Sequence, residues 1–120
     1  MKVYIATPVN ARKEKTIEAK RKAAYERVQY LAEEVQKQFE DAEVHSSFDL
    51  DIAPIGVRNP NWTEPDIMGR CVRRVMECDA ILVDWNYQHS NGCSVEHYTA
   101  LVYDKKVIYA WTLDIKPERR

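Results

Sequence analysis

A chain of 120 residues, 45% of them hydrophobic and 31% charged, has the size and balance of one globular domain; the composition excludes a disordered chain, and no apolar run reaches bilayer length. The 18 Lys and Arg are interspersed with 19 Asp and Glu to a net charge of −1, which leaves no basic face for nucleic acid and points to small polar ligands as partners. Cys71, Cys78 and Cys93 are odd in number and lack Cys-x-x-Cys spacing, so reduced, mostly buried thiols are expected, with no disulfide and no metal.

Met1 is followed almost at once by Val3-Tyr4-Ile5-Ala6, without the basic start and apolar middle of a secretory signal, so a cytoplasmic protein is expected. That short apolar run, closed by Thr7-Pro8, predicts a fully buried strand of a parallel sheet. From about Glu14 to Phe39, Ile17, Ala24, Val28, Leu31, Val35 and Phe39 recur at helical spacing and predict a helix that covers the sheet. Its other face carries Glu18 with Lys22 and Glu33 with Lys37, each four apart, which reads as a solvated surface.

Ala42 to Phe48 predicts a weaker, edge-like strand. The stretch to Thr63, with Asp49, Asp51, Pro54, Gly56, Asn59, Pro60 and Trp62, is a long loop. Thr63 reads as an N-cap with Pro65 in the first turn and Asp66 three residues on, and Met68, Val72, Val75 and Met76 continue that helix. Ala80-Ile81-Leu82-Val83 predicts a second buried strand ending at Asp84-Trp85; Cys93 to Tyr103 has helical length, and Val107 to Ala110 supplies another strand. The alternation predicts a single domain over residues 1–120: a three-layer α/β fold, flavodoxin-like or Rossmann-like, with a parallel sheet of four to five strands and helices on both faces.

Ligands of such sheets bind outside the carboxyl ends of the strands, so Thr7 to Arg12, the long loop and Asp84 to Glu96 fall on one rim. Helix starts there attract anions, and Gly92 allows close approach of the backbone to a ligand; Ser90 and Asn91 serve equally well as caps. Glu96 follows within the first turn, where the dipole should keep it ionised; by position alone it and Asp66 also suit plain solvation and capping. Trp62, Trp85 and Trp111 are candidates for stacking on a base, though such aromatics commonly cap the core. His45, His89 and His97 show no ligand spacing.

Ser90-Asn91-Gly92-Cys93-Ser94-Val95-Glu96, followed by Ala100, resembles the Ser-x-Gly-x-x-x-Glu-x-x-x-Ala signature of the nucleoside 2-deoxyribosyltransferase superfamily, especially its 2'-deoxynucleoside 5'-monophosphate N-glycosidase branch. Tyr4-Ile5-Ala6-Thr7-Pro8-Val9 resembles that superfamily's first strand and turn, and Asp66 falls where the family keeps a catalytic aspartate. The resemblance implies that Glu96 attacks C1' of the sugar, that Tyr4 orients Glu96, and that Asp66 assists base departure or contacts the sugar. It further implies that Ser90, Gly92 and the turn carrying Thr7, Asn10 and Arg12 hold the 5' end of a nucleotide. Serine at position 90 suits a 5'-phosphate, which a carboxylate there would repel.

The chain departs from that branch after strand one, with Thr7-Pro8 and Asn10 in place of Gly-Ser and an arginine; His97-Tyr98 follows the glutamate, and no C-terminal helix is predicted. The expected activity is metal- and cofactor-free cleavage or transfer at the N-glycosidic bond of a nucleotide or nucleoside, by a homodimer. The alternatives are a non-catalytic nucleotide-binding module on the same fold and, less favoured because Glu96 opposes its phosphate, a flavin site.

Overall fold

A computed structural model describes residues 1–56 and 63–118. Its four strands, β1 (Lys2–Ala6), β2 (Glu43–His45), β3 (Ala80–Val83) and β4 (Lys106–Tyr109), form one all-parallel sheet in the order β2-β1-β3-β4. Three α-helices connect them: α1 (Ile17–Gln38), α2 (Glu64–Glu77) and α3 (Asn91–Val102). This is the predicted parallel α/β sandwich, with four strands.

Alternation along the two central strands builds both layers. Val3, Ile5, Ala80 and Leu82 face α1 and pack on Ala24, Val28, Leu31 and Val35, while Tyr4, Ala6, Ile81 and Val83 face α2 and α3 and pack on Cys71, Val75, Cys93 and Ala100. Strands buried on both faces read as continuous apolar runs, which is why β1 and β3 are legible in the sequence. All three cysteines are buried and free.

The weaker predictions shift. β2 is confined to Glu43–His45, because the chain turns at Ser46, where the Asp49 carboxylate accepts from the Ser46 amide at 3.1 Å. Thr16 caps α1 by accepting from the Ala19 amide at 3.1 Å, so the helix starts at Ile17 instead of Glu14. Lys37 pairs with Glu34 at 3.4 Å, three residues away, not with Glu33. After β4 a short 3₁₀ turn, Ala110–Leu113, leads into the irregular residues 115–118, which run back over the α1 face and bury Ile115.

Beyond β2, a charged cluster ties the following loop to α2. Arg74 meets Asp49, Asp51 (2.5 Å) and Glu77 (3.2 Å), and His45 bridges Glu43 (2.5 Å) and Asp49 (2.8 Å). Phe48 and Ala53 are thereby presented inward. Trp62, Asn59 and Pro60 lie outside the described residues.

Candidate active site

The β1 crossover runs to one side of the sheet and the β3 crossover to the other, so the loops leaving these neighbouring strands diverge and leave a crevice at their carboxyl ends. On the α2/α3 face it forms a cleft of about 360 Å³. Tyr4, Thr7, Asn10, Ser90, Gly92 and Glu96 all line it; Asp66 and Arg12 do not.

Glu96 is buried, and the Tyr4 hydroxyl donates to its Oε2 at 2.5 Å. The two meet because Tyr4 points from β1 into the α2/α3 layer, beneath the helix that carries Glu96. Burial pushes the Glu96 carboxyl up to about 7, with hydrogen bonds from Tyr4 and the Cys71 thiol pulling the other way. Burial, and secondarily the Glu96 charge, holds the Tyr4 phenol well above its ordinary value, so Tyr4 remains a donor. The expected ionised, dipole-held glutamate is therefore corrected. Ser90 is the N-cap and α3 begins at Asn91, which moves Glu96 into the second turn, where the dipole has faded and desolvation decides.

Removing the phenol should raise the Glu96 pKa further, since the Tyr4 bond lowers it. Where Glu96 acts as a catalytic carboxylate, Tyr4→Phe is accordingly expected to shift the rising limb of the pH–rate profile to higher pH, with kcat/KM lower by about 10- to 100-fold, the worth of a hydrogen bond to a charged group.

Ser90 accepts from the Cys93 amide at 3.2 Å, so its hydroxyl serves as a cap while also lining the cleft. A Cβ on Gly92 would meet only Met68 Sδ and Ser90 Oγ, both at 3.9 Å, which is ordinary contact. Protein packing alone thus leaves room there for a ligand atom. Thr7 is spoken for: its hydroxyl donates to Asp84 at 2.7 Å and accepts from Arg12 at 3.2 Å.

Two predicted residues lie outside the cleft lining. The exposed Asp66 carboxylate accepts from the Thr63 amide at 2.7 Å and the Thr63 hydroxyl at 2.9 Å, bonds that lower its pKa. It closes a capping box and does not line the cleft that holds Glu96. Asp66→Ala should therefore lower Tm modestly and leave ligand binding in the cleft intact; a loss of binding at unchanged Tm would contradict the capping role. Arg12 turns away to the opposite face, where it meets Glu118.

Other side chains take those places on the cleft wall. Arg21, on the inner stripe of α1 between Ile17 and Ala24, lies over the Phe48 ring at 5.6 Å and donates to the Ala53 carbonyl at 2.5 Å. Glu64, the first residue of α2, is the second carboxylate of the lining. Cys71 faces Tyr4 and Glu96, and burial raises its thiol to about 12, so it stays protonated. The spacing Met68, Cys71, Val75, Cys78 was available to find it, and the buried face of α2 follows that series rather than Val72 and Met76.

Trp85 belongs to the other side of the sheet, where its indole donates to the Ile115 carbonyl at 2.8 Å and packs on Trp111 at 5.2 Å. Among the described residues, no three His, Cys, Asp or Glu side chains are grouped to hold a metal ion. No curated protein and no solved structure matches the chain. A family model described as a domain of unknown function (DUF4406) matches residues 1–109, and the chain belongs to that family.

Proposed function

We propose that the cleft cleaves, or transfers at, the N-glycosidic bond of a (deoxy)nucleoside 5'-monophosphate or nucleoside through Glu96. The observation that carries this reading is the buried Tyr4–Glu96 hydrogen bond of 2.5 Å beside the start of α3. Glu96 Oε attacks C1', the C1'–N bond breaks, and its electron pair leaves with the base, which takes up a proton; Glu64 is the cleft carboxyl that would meet it. Water then attacks C1', losing a proton and releasing Glu96, to give a hydrolase; a second base in its place gives a transferase. The amides that open α3, at Asn91 and Gly92, suit the 5'-phosphate, and Arg21 with Phe48 suits the base.

Incubation with a panel of nucleotides and nucleosides, followed by chromatography for free base, tests the reading; no release from any of them would sink it. The displacement of Asp66 and Arg12 from the cleft favours a second reading, a nucleotide-binding module without turnover. Calorimetry that finds tight binding in the absence of base release would select it.

The partner expected is a second copy of the chain. The outward face of α3 exposes Val95, Tyr98, Leu101 and Val102, and the only charged residue of that helix, Glu96, points inward. An uncharged apolar stripe suits a like surface better than a charged partner. Tyr98→Asp with Leu101→Asp should convert a dimer into a folded monomer, read by light scattering at matched concentration; an unchanged mass would rule out this face.

A further inference from the structure

On the α1 side of the first loop lies a second cavity of about 290 Å³, lined by Arg12, Lys13, Arg27, Asp84, Trp85 and Glu118 among others. It opens on the same carboxyl rim as the cleft, and Ala11 and His89 line both. Two arginines form its base, and each is more than nine-tenths buried.

Arg27 is anchored by Asp84 and by the Lys116 carbonyl, at 2.8 Å. Arg12 is anchored by its Nε, which donates to the Pro8 carbonyl at 2.6 Å. The outer fork of Arg12 then grips the Glu118 carboxylate with both nitrogens, Nη1 to Oε2 at 2.9 Å and Nη2 to Oε1 at 2.7 Å, while Arg27 Nε lies 3.8 Å from Oε1. Such a two-pronged grip is how arginine holds a carboxylate or a phosphate.

We infer that this is a phosphate-binding site, occupied in this conformation by the chain's own Glu118 carboxylate, which a phosphate group displaces. Charge is the first argument. Without Glu118 the cavity presents Arg12, Arg27 and Lys13 against Asp84, an excess of two positive charges, which a phosphate dianion matches and a single carboxylate does not.

Anchoring is the second. Arg27 keeps Asp84 as its anion, but Arg12 is fixed by the Pro8 carbonyl and cannot lose its proton, and the carboxylate it grips, Glu118, is 30% exposed and belongs to the irregular residues 115–118. Space is the third, since a cavity of this volume extends well past one carboxylate, along Trp85 and Lys13. Inorganic phosphate and a phosphate monoester share the chemistry that is read; the site is independent of the glycosidase reading, because Tyr4 and Glu96 do not line it.

The test is titration of the full chain with inorganic phosphate and with ribose 5-phosphate at fixed ionic strength, by calorimetry and thermal shift. Glu118→Gln should bind phosphate at least tenfold more tightly than the wild type, and phosphate should restore the Tm that the substitution costs. Adding Arg12→Gln should abolish both effects, and Glu96→Gln should leave both in place. Whichever ligand binds more tightly identifies the source. No saturable binding to Glu118→Gln, or equal binding with and without Arg12, overturns the inference and makes Glu118 a structural staple. Should Glu118→Gln fail to fold, the Arg12 Nε and Trp85 indole resonances of the wild type must shift on adding phosphate; unmoved resonances overturn it equally.

Discussion

Glu96→Gln is expected to remove base release almost completely while making the folded protein more stable above pH 7. The carboxyl is buried and its pKa is raised to about 7, so the fold favours its protonated form. Stability from this group is therefore fully present below its ordinary pKa and is lost as pH rises through about 7. A displacement of that size corresponds to on the order of 3 kcal/mol above pH 7, which a neutral glutamine would not forfeit. Below about pH 4.5 wild type and variant should melt alike, and their separation should widen towards pH 8. Activity should run in the opposite sense: with the Glu96 carboxylate as the proposed nucleophile, kcat/KM of the wild type should climb towards a plateau above about pH 7, and the variant should lose about 10³-fold or more. A variant that is less stable than wild type at pH 8 would show that Glu96 is held charged, contrary to the burial argument.

The second large effect is expected at Arg27. Its guanidinium meets Asp84 twice, Nε to Oδ2 at 3.0 Å and Nη2 to Oδ1 at 2.9 Å, with both residues buried. Asp84 also accepts from Thr7 at 2.7 Å and from the Trp85 amide at 2.8 Å, so it fastens the ends of β1 and β3, where the two cavities meet. Arg27→Met leaves that carboxylate buried with its charge uncompensated, at a cost of about 3–5 kcal/mol. This is a large share of the stability of a domain of such size, and the urea midpoint should fall accordingly with little change in slope. Combining Arg27→Met with Asp84→Asn should recover much of the loss, because the stranded charge is gone. An unchanged midpoint in the single variant would mean that the pair contributes nothing net.

Arg27 also illustrates what a linear reading overlooks. It lies three residues after Ala24 and four before Leu31, on the stripe that packs against the sheet, so its spacing announced an inward charge; its partner, 57 residues away, could not be named until β1 and β3 were adjacent. Arg12 is a related case. The family resemblance suggested a place for it in the cleft, but the backbone turns it through the Pro8 carbonyl to the opposite face, where Glu118 waits.

Local physics accounts for most of what was legible along the chain. Apolar runs buried on two faces marked β1 and β3, helical periodicity marked α1, and the Thr63–Asp66 spacing marked a cap, because each depends on neighbours within a few residues. The pairing of Tyr4 with Glu96 was expected from resemblance, and both side chains do converge in one cleft. Three-dimensional packing alone decided which of two local roles Asp66 fills, and which face Arg12 serves. It also decided whether Glu96 carries its charge: ionisation is set by desolvation summed over every element that closes around the carboxyl, and that sum exists only once the sheet and both of its helices are assembled.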